Sequence, residues 1–397
     1  MTRTANVGPA EVITLGCRLN LAESEQIRAM LAGESNLVVV NSCAVTSEAV
    51  RQTRQAIRRA RRERPGARLL VTGCAADIER DQFSAMPEVD GLVANTRKLD
   101  ARAWNVPAIA PPIPSGHTRA FIPVQNGCDH ACTFCVIPQG RGPSRSLTIP
   151  QVLAQIAQYL GRGAPEIVLT GVDVTSWGHD LPGGPALGQL VRAILDEFPE
   201  LKRLRMSSLD GIEIDPLLFE LYAAEPRVMP HLHLSLQHGH DLILKRMKRR
   251  HSRQDAADLV ARLRALRPDL AVGADLIAGF PTEDDTMHAA NLSIIEELGI
   301  VHGHIFPYSP RPNTPAARMP QVAQPVIKQR AAELRQLVAR LRGDWLDRHV
   351  GNELEVLAEK DGTGYSPDFA RVKVPDGTIA GTIMKITPAA HEKGLLR

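Results

Sequence analysis

Six cysteines are the residues of this chain best suited to bind a metal centre. They are Cys17, Cys43, Cys74, Cys128, Cys132 and Cys135. The last three form a C-x3-C-x2-C segment, whose spacing wraps three thiolates around one centre. A [4Fe-4S] cluster normally takes four cysteines, so three leave one iron open to a substrate or cofactor. A structural zinc site is the alternative, with His130 or a distant residue completing the four ligands that zinc prefers.

The first three cysteines each follow an apolar run typical of a β-strand. The runs are EVITLG, NLVVVNS and ARLLVTG. They alternate with helical patterns, which predicts a parallel sheet flanked by helices. Because the carboxyl ends of parallel strands carry the ligand site, we expect these cysteines to converge at one edge. A single cysteine there would be a small buried hydrophobe, but three equivalent positions favour a second three-thiolate site.

The patterning predicts an α/β protein of three parts. Residues 1–105 form the open parallel-sheet domain, and Pro-rich residues 106–116 form a linker. Residues 117–345 form a partial (β/α)6 barrel, with its active site at the carboxyl ends of the strands. Residues 350–397 alternate short strands with turn residues and form a small β-module.

Six candidate strands and two helices define the predicted barrel. The strands are AFIPVQ, EIVLTG, RLRMSS, HLHLSLQ, VGADLIAG and HGHIFPYS. One helix is predicted from Pro150 to Leu160 with Thr148 as its cap, and another from Gln254 to Leu266.

The composition indicates an ordinary folded protein in a reducing compartment. Hydrophobic residues make up 44%, charged residues 23%, and the formal charge is +3. No signal peptide is recognisable at the N-terminus, and no stretch approaches ~18 apolar residues. We therefore expect a cytoplasmic protein with no membrane partner, in which metal ligation explains the cysteines better than disulfides.

Several motifs resemble a known family. The segment NGCDHACTFCVIPQGRGPSRS resembles the cluster loop of the radical S-adenosylmethionine (SAM) superfamily. Motifs along nearly the whole chain are similar to the methylthiotransferases, namely TLGCRLN, VVNSCAVTSEA, VTGCAA, LTGVDVTSWG, SLQHG, ADLIAGFPTE and FPYSPRPNTPAARM. The C-terminal module matches the family's TRAM domain in position. His238 in SLQHG stands where related enzymes often have serine.

This resemblance implies two [4Fe-4S] clusters and S-adenosylmethionine. Cys17, Cys43 and Cys74 would hold an auxiliary cluster, and the C-x3-C-x2-C cysteines the radical-generating one. The motifs are most similar to the branch that methylthiolates C2 of N6-threonylcarbamoyladenosine at tRNA position 37. The implied partners are the tRNA anticodon loop, an electron donor such as a flavodoxin or ferredoxin, and a sulfur source.

Three alternatives to that activity remain open. The first is a methylthiotransferase that acts on isopentenyladenosine in tRNA, and the second is one that acts on a ribosomal-protein aspartate. The third is a non-catalytic iron-sulfur protein that binds RNA or senses redox state.

Six residues are candidate contacts for S-adenosylmethionine. They are Gly171, Asp173, Ser207, Ser208, Gln237 and Asp275. Gly171 and Asp173 follow the second barrel strand, where members of the superfamily contact the amino group of S-adenosylmethionine. The others lie on or end later strands, where polar groups face the ligand. Arg141 and Arg145 are further candidates, for the cofactor carboxylate or a phosphate.

Two basic runs are candidate RNA contacts. Seven arginines lie between Arg51 and Arg64, on a helical pattern whose Val50, Ile57 and Ala60 face the core. The second run is KRMKRRHSR. The predicted contacts are Arg51, Arg54, Arg58, Arg62, Lys248, Arg249 and Arg250. An exposed basic face tracks phosphates and binds less tightly as salt rises. A solvated helix surface is the alternative for each arginine.

Overall fold

The computed structural model describes residues 8–107 and 118–397, which form two compact units. Unit 1 contains residues 8–107, Asn126–Arg145 and Ser309–Thr314, and unit 2 contains Thr118–Gln125, Ser146–Tyr308 and Pro315–Arg397. Residues 108–116 of the predicted linker lie outside the described residues. The domain boundaries expected at 105, 117 and 345 remain predictions.

Unit 1 contains a parallel sheet of four strands. The elements of this part are β1 (Glu11–Thr14), α1 (Arg18–Met30), β2 (Leu37–Ser42), α2 (Ser47–Glu63), β3 (Arg68–Gly73), α3 (Cys74–Ile78), α4 (Arg80–Ser84) and β4 (Gly91–Leu92). The strands run parallel in the order β1-β2-β3-β4. Alternate residues of β2 lie in separate hydrophobic cores. Val38 shares one core with Ile57 of α2, and Val39 shares the other with Ile27 of α1. Burial on both faces explains why the strand sequences are continuously apolar.

Helix α2 presents its apolar side to this sheet. Thr46 caps the helix by accepting a hydrogen bond from the Ala49 amide at 3.1 Å. The residues Val50, Ile57 and Ala60 are buried, as their spacing predicted.

The chain then passes through short elements. These are β5 (Arg119–Pro123), β6 (Gln125–Asn126), α5 (Ile137–Arg141) and β7 (Arg145–Ser146). The region of the second cysteine group, Asn126–Arg145, belongs to unit 1.

Unit 2 contains the six predicted barrel strands. After β5 the strands are β8 (Glu166–Thr170), β9 (Arg203–Met206), β10 (His231–Gln237), β11 (Ala271–Ala278) and β12 (Ile300–Pro307). The helices are α6 (Ile149–Leu160), α7 (Leu187–Glu197), α8 (Pro216–Ala224), α9 (Asp241–Arg246), α10 (Arg253–Leu266), α11 (Asp285–Glu297) and α12 (Gln324–Asp347). The strands form two parallel groups, β5-β8-β9 and β10-β11-β12, joined by a parallel bridge between Leu209 and Leu234. The predicted α/β fold is confirmed.

The C-terminal residues form a β-rich module within unit 2. Its strands are β13 (Leu354–Ala358), β14 (Thr363–Tyr365), β15 (Arg371–Lys373), β16 (Ile383–Ile386), β17 (His391–Glu392) and β18 (Leu395–Leu396). Two buried arginines of β9 join it to the barrel, because Arg203 donates to the Glu355 carbonyl at 2.9 Å and Arg205 to the Pro367 carbonyl at 3.1 Å. Among the described residues, every helix is too short or too polar to traverse a membrane.

Candidate functional site

The three N-terminal cysteines lie together at one edge of the unit 1 sheet. Cys43 directly follows β2, Cys74 directly follows β3, and Cys17 comes shortly after β1. Burial raises the pKa of the Cys43 thiol to about 11, and the charges of the nearby Cys17 and Cys74 raise it further. Parallel strand order therefore produces a cluster of three sulfurs from three distant points in the chain.

Two glycines allow these cysteines to approach one another. Gly16 has a φ of +97°, and a Cβ there would lie 2.6 Å from Cys43 Cβ and 2.7 Å from its Sγ. Gly73, with a φ of +95°, directly precedes Cys74, and a Cβ would lie 2.4 Å from the Ser42 carbonyl oxygen. Burial disfavours the thiolate form of a cysteine unless a metal binds the sulfur. Three soft sulfur ligands held this closely fit an iron-sulfur cluster with one open iron.

The second cysteine group is held by backbone hydrogen bonds on its own loop. The Cys128 amide donates to the Gly142 carbonyl at 3.1 Å, and the Cys135 amide to the Cys132 carbonyl at 3.2 Å. The Ile137 amide donates to Cys135 Sγ at 3.4 Å. Hydrogen bonds to the sulfurs are one means by which proteins set the reduction potential of such clusters. This loop, with its partly exposed cysteines, also fits a [4Fe-4S] group.

Arg141, considered from sequence as a cofactor contact, is buried within unit 1. Its guanidinium donates to both carboxylate oxygens of Glu23, at 2.8 and 3.0 Å. Sequence reasoning did not identify Glu23 or its second partner Lys98, because no local pattern marks them. Arg145 is more exposed, and its guanidinium donates to the Pro143 and Arg141 carbonyls.

Gln125 supports the predicted cofactor contacts after β8. Its Oε1 accepts hydrogen bonds from the amides of Val172 and Asp173, at 3.1 and 2.9 Å. A Cβ on Gly171 would lie 2.8 Å from the Gln125 carbonyl oxygen, so only glycine fits. The sequence did not mark Gln125, although it ends the strand segment AFIPVQ.

The other cofactor candidates lie at strand ends or inside the barrel. Ser207 and Ser208 directly follow β9, and both are partly buried. Gln237 ends β10 with a φ of +67°, a conformation unusual for a residue other than glycine. Asp275 lies within β11 and accepts hydrogen bonds from His233 and His304, both at 3.1 Å. Burial opposes ionisation of Asp275, but these two hydrogen bonds hold the pKa of its carboxyl well below the usual range.

His238 in the SLQHG motif is buried and pairs with Glu283. Its Nε2 lies 3.1 Å from an oxygen of Glu283, and both side chains are fully buried. Burial lowers the pKa of the imidazole. Glu283 also accepts from the Gly279 amide at 2.9 Å and from Arg330 at 3.2 Å. The histidine therefore belongs to a packed polar group rather than to an open surface.

The predicted RNA contacts on α2 differ in exposure. The side chains of Arg51 and Arg58 are 57% and 54% exposed, and Arg62 is exposed. Arg51 pairs with Glu48, and Arg58 lies 3.8 Å from Glu88. Arg54 is less exposed because it donates to Glu79 at 2.7 Å. Acidic neighbours thus neutralise part of this arginine-rich face.

The three predicted contacts in the second basic run comprise one buried and two exposed side chains. Arg249 is 8% exposed and pairs with Asp210 at 2.8 Å. Lys248 is exposed, and Arg250 is 48% exposed with its guanidinium 2.5 Å from Glu213. The role of each basic residue in RNA binding stays a prediction.

Two family models match the chain. The Radical SAM superfamily matches residues 122–292, and Uncharacterized protein family UPF0004 matches residues 10–94. These ranges contain the second and first cysteine groups, respectively. Members of the radical SAM superfamily use a [4Fe-4S] cluster and S-adenosylmethionine.

Curated relatives match over most of their length. Threonylcarbamoyladenosine tRNA methylthiotransferase MtaB of Rickettsia prowazekii is 44% identical over 98% of this chain and 96% of its own. The tRNA-2-methylthio-N(6)-dimethylallyladenosine synthase of Anaeromyxobacter sp. is 32% identical over 88% of this chain and 82% of its own.

A solved structure supports the fold. The radical S-adenosylmethionine methyltransferase TsrM of Kitasatospora setae matches with a TM-score of 0.54 and 15% identity, over 78% of this chain and 76% of its own. Together with the two groups of cysteines, these similarities show that the chain belongs to the family of radical SAM tRNA methylthiotransferases that includes MtaB.

Proposed function

We propose that this protein is an enzyme that replaces the C2 hydrogen of N6-threonylcarbamoyladenosine at tRNA position 37 with a methylthio group. One S-adenosylmethionine would supply the methyl group, and a second would supply the 5'-deoxyadenosyl radical that removes the hydrogen. The observation that carries the proposal is the convergence of Cys17, Cys43 and Cys74 at one sheet edge, in a chain 44% identical to an MtaB.

Each cysteine group has a separate task in this proposal. Cys128, Cys132 and Cys135 would hold the cluster that supplies an electron for cleaving S-adenosylmethionine. Cys17, Cys43 and Cys74 would hold the auxiliary cluster beside which sulfur is delivered. The protein's own contribution is to fix the cysteines, orient the cofactor and exclude water. Glycines at positions 16 and 171 serve these tasks through close packing.

Cofactor positioning is assigned to residues after the barrel strands. Gly171 and Asp173 would present the backbone held by Gln125, and Ser207, Ser208 and Gln237 would offer polar groups nearby. Asp275 would act from within the barrel, where two histidines keep its carboxylate ionised.

tRNA is the proposed substrate, and its target base must leave the stacked anticodon loop to be reached. We assign phosphate contacts first to the exposed Arg51, Arg58, Arg62, Lys248 and Arg250. We further propose a flavodoxin or ferredoxin as reductant, a separate sulfur source, the C-terminal β-module as a TRAM-like aid to tRNA binding, and a cytoplasmic location.

The direct test is mass spectrometry of tRNA nucleosides from cells with and without the gene. We expect loss of the methylthio form of threonylcarbamoyladenosine, with the unmodified precursor accumulating, and restoration by the wild-type gene but not by Cys43→Ala. Loss of methylthio-isopentenyladenosine instead would assign the chain to the activity named in its Anaeromyxobacter relative. Unchanged tRNA together with loss of a methylthio-aspartate in ribosomal protein would contradict a tRNA substrate.

A further inference from the structure

Three buried charged side chains join the two cysteine-bearing parts of unit 1. Glu23 lies in α1, shortly after Cys17, and Arg141 ends α5, shortly after Cys135. Glu23 Oε2 lies 2.6 Å from Lys98 Nζ, and Glu23 Oε1 lies 2.8 Å from Arg141 Nη1. All three side chains are at most 2% exposed. We call Glu23, Lys98 and Arg141 the buried bridge.

Asn20 extends the bridge to two of the N-terminal cysteine loops. Its Oδ1 accepts from Arg141 Nη2 at 2.5 Å. Its Nδ2 donates to the Leu15 carbonyl at 2.8 Å and to the Ser42 carbonyl at 2.9 Å. Ser42 directly precedes Cys43, and Leu15 lies two residues before Cys17. One amide thus fixes both backbones relative to the Arg141 guanidinium.

Asn95 connects the third cysteine to the same short helix. Its Nδ2 donates to the Gly140 carbonyl at 2.6 Å and lies 3.8 Å from Cys74 Sγ. Gly140 is the neighbour of Arg141 in α5 and packs closely on the third cysteine, since a Cβ there would lie 3.2 Å from the Cys74 carbonyl oxygen. The helix after the second cysteine group is therefore tied to all three N-terminal cysteine loops.

With Lys98 protonated, the buried bridge carries an excess positive charge, because Lys98 and Arg141 then stand against the single carboxylate of Glu23. Burial lowers the pKa of the Lys98 amine, whereas the nearby Glu23 and Cys74 raise it. Asp77 is the next carboxylate near Lys98, and its side chain is 20% exposed. An uncompensated buried charge is costly. A [4Fe-4S] cluster with three thiolates carries about one negative charge in its oxidised form, so it would offset this excess.

We propose that the buried bridge positions the two cysteine groups relative to each other and sets the reduction potential of the cluster held by Cys17, Cys43 and Cys74. This inference rests on the two-cluster arrangement of the proposed function. Positive charge next to the cluster stabilises the reduced state, which carries one more electron. Removing Lys98 and removing Glu23 must therefore shift the potential in opposite directions.

The test isolates the N-terminal cluster in the full chain. Cys128→Ala, Cys132→Ala and Cys135→Ala together leave a single cluster, whose potential is measured by anaerobic redox titration followed by electron paramagnetic resonance. We expect a shift to more negative potential for Lys98→Met and to more positive potential for Glu23→Gln. Arg97→Met removes a neighbouring arginine that is 61% exposed and pairs with Asp100, and it should shift neither way.

A merely structural role would not reverse the sign of the shift. Shifts of Lys98→Met and Glu23→Gln in the same direction, or potentials equal to that of the parent, would overturn the inference. If Lys98→Met fails to fold or to bind iron, the potentials of Glu23→Gln and Lys98→Arg test the inference instead. The arginine keeps the charge, so its potential must stay at the parent value, and a displaced value counts against the bridge. No tRNA enters this assay, so a wrong substrate assignment appears only in the nucleoside analysis.

Discussion

Gly16 lies against Cys43 so closely that a Cβ on the glycine would be 2.7 Å from the cysteine Sγ. The glycine also has a φ of +97°, which disfavours any other residue. A methyl group at this position fits only if Cys43 or the backbone of residue 16 moves.

We therefore expect Gly16→Ala to lose the N-terminal cluster while the second cluster remains. Iron analysis after anaerobic reconstitution should fall from about eight to about four irons per chain. The matched control is Gly33→Ala, since Gly33 is exposed and a Cβ there meets no atom within 4 Å. Full iron in Gly16→Ala would contradict the assigned trio.

The exposed arginines of α2 provide a prediction about tRNA binding. Arg58→Ala and Arg62→Ala together should weaken binding evenly across tRNA sequences, and the slope of log affinity against log salt should fall by about one unit per lost phosphate contact. Fluorescence anisotropy at several salt concentrations measures both effects. An unchanged slope would show that these arginines form only a solvated helix surface.

Arg249 should behave differently from the exposed arginines. Its pairing with Asp210 is buried, so Arg249→Ala removes a charged hydrogen bond at a cost of about 1.5–3 kcal/mol, although Arg250 and His251 remain near the carboxylate. We expect a lower midpoint of thermal unfolding and an unchanged salt slope for the protein that remains folded. A normal midpoint with a reduced slope would instead make Arg249 a phosphate contact.

The pair of His238 and Glu283 predicts a large effect on stability. Glu283 accepts hydrogen bonds from His238, the Gly279 amide and Arg330 in a fully buried position. Glu283→Ala leaves His238 and the Gly279 amide without this acceptor, whereas Arg330 keeps its bonds to Asp285 and to the carbonyl of residue 283. We expect the protein to be destabilised by about 2–5 kcal/mol. The control Glu296→Gln breaks an exposed pair with Arg340, worth less than about 1 kcal/mol. Thermal unfolding of both variants checks the contrast.

His302 makes stability depend on pH. Burial lowers the pKa of its imidazole to about 3, whereas an unfolded histidine titrates near about 6.5. Between these values the unfolded chain binds the extra proton, so stability rises with pH, by at most about 1.4 kcal/mol per pH unit. We expect His302→Phe to reduce the gain in unfolding midpoint between pH 5.5 and 7.5. The surface variant His179→Gln should keep the wild-type gain, and an equal loss in both variants would exclude His302 as the cause.

Local sequence patterns were sufficient for the elements that carry the site. Apolar runs before Cys17, Cys43 and Cys74 predicted three strands, and the parallel order brings their ends together. The helix predicted from Pro150 after the cap Thr148 is observed as α6. These predictions succeed because burial on a sheet or one side of a helix imposes a short repeat on neighbouring residues.

Tertiary structure alone decided which charged residues are buried together. Nothing near Glu23 in the sequence indicates that Lys98 and Arg141 will contact it, since such pairs depend on how distant segments fold. The run KRMKRRHSR looks uniformly basic, yet Arg249 is directed onto Asp210 while Lys248 is exposed. The sequence by itself determined the strands that present the cysteines and marked those cysteines as candidate ligands, because both depend on local order. The charges around those ligands were decided only by the folded chain, because electrostatic partners are chosen by distance in space.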